Sequence, residues 1–174
     1  MRRTVVLTIL ALAFTAAPAG AQTINVGRFS VSSIGDFRPS ADPSIPAAER
    51  VFGRAASRRK TSDASCAVRW NRLRLEILFV SFGGATSICG GSEGKAQTFT
   101  VRGNRLRTWH GLRVGQPEGA IRRRHPRAKL RRGWWWLKSA VNPVGDGSPS
   151  PVVEARVRDG RVAVIRGWIG AAGD

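Results

Sequence analysis

Seven Arg and Lys side chains occupy the eleven positions from Arg122 to Arg132, and three consecutive tryptophans, Trp134, Trp135 and Trp136, follow almost at once. The cations are Arg122, Arg123, Arg124, Arg127, Lys129, Arg131 and Arg132. Guanidinium and ammonium groups at that density attract phosphate, sulfate or carboxylate. Aromatic rings beside them either stack on bases or anchor a protein partner. The competing reading is a helix end running into a strand. Strand geometry sorts the tryptophans, because successive side chains point to opposite faces. Trp134 and Trp136 then share one face, and Trp135 and Leu137 the other. If only one face is covered, at least one Trp stays on the open side.

Asp159-Gly160 is the strongest short hairpin signal in the chain. A two-residue turn there pairs Arg158 with Arg161 and Val157 with Val162. Uninterrupted alternation continues with Arg156 opposite Ala163 and Ala155 opposite Val164. Val153, Ala155, Val157, Val162 and Val164 would face the core, and Glu154, Arg156, Arg158 and Arg161 the opposite side. A sheet face carrying Trp and Arg has the composition of a protein-recognition surface. The candidate binding residues are therefore Trp134, Trp135, Trp136, Arg156, Arg158 and Arg161, with the run from Arg122 to Arg132 as a solvated basic rim. The rival is that repeat-to-repeat contact covers this face and the tryptophans are core.

Catalytic chemistry finds little purchase. His110 and His125 are the only histidines. His125 is crowded by Arg124, which disfavours its protonated form, and His110 reads as a structural hydrogen-bonding residue. No serine sits in Gly-x-Ser-x-Gly spacing. The carboxylates are scattered singly, so neither an acid/base pair nor a metal cluster can be argued. The glycine-rich stretch "FGGATSICGGSEG" lacks the Gly-Lys-Ser/Thr run of a phosphate loop. The expectation is a non-enzymatic protein with no cofactor and no metal. Cys66 and Cys89, the only cysteines, read as one disulfide if the compartment is oxidising, with a free catalytic thiol as the rival.

Such a compartment is expected from residues 1–21. Arg2 and Arg3 precede an apolar run from Val5 to Ala17, and Ala19-Gly20-Ala21 is a small-x-small cleavage site, so the mature chain would start at Gln22. A plain secretory leader fits better than a twin-arginine signal. The protein is expected in the periplasm or outside the cell, with no membrane span. The full chain carries 29 Lys and Arg against 11 Asp and Glu, a net +18; without Arg2 and Arg3 it is +16 on 153 residues. That charge attracts acidic partners. Its 25 Arg against 4 Lys, beside high Ala, Gly and Val, also resemble the drift of a GC-rich genome.

The elements that must position these residues are short. Residues 22–43 read as a polar leader, with at most one short strand around Ile24 to Val31. Ser44 is a fitting N-cap for a helix to Phe52, ended by Gly53. Cys66 to Trp70 and Leu73 to Phe82 alternate as strands. Pro117 opens a second helix through Arg124, stopped before Pro126. Trp134 to Ser139 reads as a strand, followed by a loop from Asn142 to Pro149. Shifting the chain by 73 residues aligns 42–59 with 115–132, with six identities in eighteen positions. Chance in an Arg- and Ala-rich chain competes with duplication. The expected class is α+β: short helices packed on antiparallel sheet, with tandem repeats at 44–104 and 105–174 as its two-unit form.

"GLRVGQPEGAIRRRHP", Gly111 to Pro126, resembles the helical signature of the beta-lactamase inhibitory proteins and the small outer-membrane assembly lipoproteins through Gly111, Leu112, Gly115, Ile121 and Pro126. "SIPAAERVFGRA", Ser44 to Ala55, resembles it more loosely through Val51, Phe52 and Gly53. The chain departs from the pattern in His125-Pro126, in one cysteine pair rather than one per repeat, and in having no Tyr. The resemblance implies two repeats, each a helical layer on antiparallel sheet, and an inhibitor-like role. The functional expectation is a secreted protein-recognition module whose partner is another exported or cell-surface protein. The alternative is a cationic envelope protein binding anionic glycan or nucleic acid.

Overall fold

Alternating apolar residues need a sheet with one buried face, and eight of the strands build one. The computed structural model describes residues 22–83, 87–91, 93–141 and 147–169. The leader and cleavage site at 1–21, and loop residues 142–146, lie outside them. Among the described residues the order is β1 (Gln22–Val26), β2 (Val31–Ile34), α1 (Ile45–Phe52), β3 (Ser57–Ser62), β4 (Ser65–Trp70), β5 (Leu75–Val80), β6 (Lys95–Val101), β7 (Leu106–Thr108), α2 (Gly119–Arg124), β8 (Lys129–Arg131), β9 (Trp134–Val141), β10 (Pro149–Arg158) and β11 (Arg161–Trp168). Eight strands form one antiparallel sheet in the order β3-β4-β5-β6-β11-β10-β9-β8, and a smaller sheet runs β2-β1-β7. Residues 44–104 and 105–174 each supply four strands of the large sheet, entering from opposite edges and meeting at β6 and β11. One core runs through both.

The register defines the core in rows. Trp70, Leu75, Val101, Ile165, Ala155 and Trp135 lie side by side across six strands, all of them buried. The next row is Val68, Ile77, Phe99, Gly167 and Val153. Gly167 stands where a side chain cannot fit. A Cβ there would lie 2.6 Å from the Val152 carbonyl oxygen and 2.7 Å from the Phe99 ring. The two tryptophans that end the first row are tied to the chain at the helix termini. Trp70 Nε1 donates to the Gly53 carbonyl at 2.8 Å, and Trp135 Nε1 to Glu118 Oε1 at 3.0 Å. A disulfide joins Cys66 on β4 to Cys89, with Cα atoms 5.3 Å apart and a separation of 23 residues; the loop-entropy contribution is roughly 3 kcal/mol.

The expected α+β class, helices layered on sheet, is overturned: the fold is mostly β. α1 has eight residues and α2 six, bringing Ile45, Ala47, Ala48, Ala120 and Ile121 to the core. The strands missing from the sequence reading are the edges. β3 (SRRKTS) and β8 (KLR) are exposed at every position, so they bury no face and show no alternation. Residues 22–43 are likewise not a loose leader. Ile24, Val31, Ile34 and Phe37 are fully buried, spaced among Ser, Gly and Asp that mask their period. Ser44 does cap α1, accepting from Ala47 N–H at 3.3 Å, and Gly53 follows α1 at φ 82°.

Gly167→Ala is expected to destabilise the protein by about 1–3 kcal/mol through overpacking against backbone, read as a lower urea midpoint of the oxidised chain. Gly83→Ala, with nothing within 4 Å of its Cβ position, is the control and should leave the midpoint within about 0.5 kcal/mol.

Candidate functional site: the open sheet face

The side of the large sheet opposite its core carries its own register. One row crosses all eight strands: Ser57, Arg69, Glu76, Thr100, Arg166, Glu154, Trp136 and Lys129. Within it Arg69 and Glu76 are 3.6 Å apart, and Arg166 Nε donates to Glu154 Oε1 at 2.6 Å. Glu154 is only 7% exposed, and a carboxylate that dry needs its cation. The Arg166 guanidinium also lies 3.7 Å from the centre of the Trp134 ring. It is held by an ion pair and a cation–π contact together. Arg156 approaches Trp134 at 5.7 Å, and Arg131 approaches Trp136 at 5.7 Å. Neither Arg156 nor Arg131 forms an ion pair among the described residues. Leu78 and Trp168, both in a neighbouring row with Thr98, add apolar surface.

Of the six candidate binding residues, three share this face: Trp134, Trp136 and Arg156. Trp135 does not. It is buried in the core with the Arg122 guanidinium 4.8 Å from its ring, as alternation demands of the middle residue of three. Arg158 and Arg161 form their expected pair but are engaged at the hairpin tip. Arg158 pairs with its neighbour Asp159 at 3.7 Å, both side chains more than 80% exposed at the hairpin tip. Arg161 donates to the Gly115 carbonyl at 3.0 Å, pinning the tip to the loop before α2. Beyond the tip the hairpin carries a β-bulge. The pairs Arg158↔Arg161 and Val157↔Val162 form as expected, then Arg156 pairs with Val164 and Ala163 is left over. One extra residue turns everything after it to the other face. Val164 moves to the open side, Ile165 to the core, and Arg166 beside Glu154.

Arg166 is thus the residue of this face that sequence reasoning misses. A signal for it existed. Unbroken alternation puts Arg166 in the core row of Val153 and Ala155, where a charge without a partner is costly, so a register slip was required. The basic rim is placed around the β8 edge. Arg122, Arg123 and Arg124 fill the last turn of α2, Lys129 and Arg131 belong to β8, and Arg132 begins the β8–β9 turn at φ 50°. None of the seven rim cations is in an ion pair among the described residues.

A second cluster lies at the end of α2. His125 is 3% exposed, with Nε2 2.8 Å from Thr108 Oγ1. Leu112 N–H donates to that hydroxyl at 3.0 Å. The rings of Trp109 and His110 stand 4.7 and 5.2 Å from it. Burial, then the charges of His110 and Arg124, push His125 down to about 4. Among the described residues no carboxylate is bonded to the ring, and its Thr108 partner is fully buried. Its role is to brace the turn Thr108–Leu112, where Gly111 N–H donates to the Thr108 carbonyl at 2.7 Å. Among the described residues no three His, Cys, Asp or Glu side chains gather as metal ligands, and no helix is long and apolar enough to cross a membrane.

No family model matches the chain, and no curated protein matches it. Among solved structures, an extracellular protein containing a SCP domain from Bacillus anthracis str. Ames aligns at a TM-score of 0.44 and 10% identity, over 92% of this chain and 50% of that one. This chain therefore spans about half the length of that protein, and a likeness of that grade carries no argument about fold or function.

His125 makes stability pH-dependent in a defined window. Below the ordinary histidine value of 6.5 the unfolded chain binds a proton that the folded chain refuses until about pH 4. Stability should therefore fall as pH drops through that interval, by roughly 3 kcal/mol in all, with no contribution above it. Urea midpoints at stepped pH should show this slope, and His125→Gln should flatten it.

Proposed function

We propose that this chain is an exported, non-enzymatic protein-recognition module, inhibitor-like in that it acts by covering part of another exported or cell-surface protein. The observation that carries the reading is the fixed group of Arg166, Glu154 and Trp134 on a face where Arg69, Arg156, Arg166 and Lys129 are exposed. Trp and Arg dominate interface hot spots because they remove large areas from water at a low cost in mobility. A guanidinium already clamped by carboxylate and ring has little mobility left to lose. The size of the face supports a protein partner. Eight strands give seven steps of ~4.8 Å, about 34 Å, and six residues of strand about 20 Å. The product, on the order of 700 Å², approaches the roughly 800 Å² per partner of a standard interface. Export is supported by the Cys66–Cys89 disulfide, since such bonds persist in oxidising compartments.

One observation favours a second reading, a cationic envelope protein that binds anionic glycan or nucleic acid. Among the described residues the seven rim cations have no carboxylate partners, and free cations are what a polyanion neutralises. The two readings separate by salt. A pull-down of exported proteins and cell-wall fractions, washed at rising salt, should retain a defined protein. Against that protein Trp134→Ala, Trp136→Ala or Arg166→Ala should each cost about 2 kcal/mol or more, with moderate salt changing mainly the association rate. If everything retained is polyanionic and its affinity falls linearly in log salt, the module reading is wrong and the polyanion reading stands.

A further inference from the structure

The two edges of the large sheet are finished differently. β3 covers β4 over its full length, from Ser57↔Arg69 to Ser62↔Ser65, and its six exposed residues include Arg58, Arg59 and Lys60. Charges of this kind are how an edge strand is guarded against chance pairing. β8 is shorter than its neighbour. It pairs with Trp134, Trp135 and Trp136 only, whereas β10 follows β9 out to Val141. From Leu137 to Val141, β9 has a strand on one side and, among the described residues, none on the other. This free stretch carries one charge, Lys138. Val141, at its far end, is 51% exposed, and Leu130, on β8 opposite Trp135, is 57% exposed.

The backbone there faces outward in a defined way. Pro149 and Pro151 on β10 lie opposite Val141 and Ser139, with Ser150 opposite Ala140 between them. Proline has no N–H to give, so the pair that exchanges two hydrogen bonds is Ser150 with Ala140. Alternation then turns the N–H and C=O of Ser139 and Val141 away from β10, in line with β8.

Charge decides what such an edge accepts. From Gly119 to Val141 the chain holds eight cations and no Asp or Glu, and none of the eight is ion-paired among the described residues. A second copy pairing along this edge would set like charges against each other. An acidic strand would find donors, acceptors and cations together.

We propose that the outer edge of β9, Leu137 to Val141, takes an extended, carboxylate-bearing segment of another protein as a ninth strand continuing the line of β8. Carboxylates of that segment meet Lys138 and, at the end nearest β8, Lys129, while its apolar residues cover Val141. The inference does not rest on the open face being a recognition surface; it uses the sheet's edge and its backbone.

The probe is a capped eight-residue peptide alternating valine and glutamate. Its controls are the valine–lysine peptide and a valine–glutamate peptide with proline at its centre. Amide hydrogen exchange of the oxidised chain, followed by NMR, is the readout. The valine–glutamate peptide should slow exchange at Ser139 and Val141 at least tenfold and saturably, and both controls should have less than a tenth of its affinity. Ser139→Pro and Lys138→Glu should each weaken binding at least tenfold. Near-UV circular dichroism checks that the variants are folded, and Lys138→Glu alone decides the matter if Ser139→Pro is not. Four results overturn the proposal: equal binding of the lysine peptide, protection of Ser139 and Val141 in the free chain as deep as in β10, protection that rises with chain concentration alone, or no saturable effect. If the peptide instead perturbs only the Trp134 and Trp136 indoles, the edge proposal fails while the open-face reading survives.

Discussion

The join between β6 and β11 is the constraint on which the rest of the structure depends. Four residue pairs hold it, and at its centre the Phe99 ring occupies the space a side chain at position 167 would need. If that register slips by one residue, every side chain of one half-sheet changes face. The core rows and the open-face row would then be broken at the same place. A glycine opposite a phenylalanine resists slippage because no other position on β11 has the hollow that the ring requires.

Each half of the sheet is held at its outer side by a tryptophan used in the same way. Trp70 reaches the carbonyl just past α1, and Trp135 reaches a carboxylate just before α2. An indole buries a large apolar area and still has one N–H to satisfy, so each ring can close the core only where a helix terminus offers an acceptor. The short helices matter less as a layer than as the source of those acceptors. Their few buried residues fill the gaps that the strands leave.

Much of this is legible in the residues, though unevenly. The Asp159-Gly160 turn, the Ser44 cap and the opposite facing of Trp134 and Trp135 follow from local rules, and the structure has all three. The edge strands are not legible, since a strand exposed on both faces has no periodicity to read, and β8 turns into β9 through Arg132-Gly133, both at positive φ, where Asn-Gly or Asp-Gly is the usual sign. That is why the mostly-β class was read as α+β. The bulge at Ala163 hid in a different way. Nothing in residues 161–164 marks it, and only the cost of burying Arg166 further along reveals it. Local pattern thus places two tryptophans on this face, and a long-range charge argument is needed to find the arginine beside them.

The abundance of arginine has two separate physical meanings here. The rim cations are exposed and, among the described residues, without ion pairs, and they contribute an attraction that salt weakens and that any anion can satisfy. Arg166 is different because its plane is fixed by Glu154 on one side and Trp134 on another, a geometry that a lysine ammonium cannot reproduce. Its removal would leave Glu154 nearly dry and unpaired, so the pair is stabilised as a unit and the ring beside it is held in one orientation. A composition biased toward arginine explains how many guanidinium groups the surface carries. It does not explain why one of them lies 2.6 Å from a carboxylate that is almost fully buried, since that arrangement needs the bulge, the register and all three residue types at once. Any specificity of this face therefore lies in that clamped group, and the rim supplies reach.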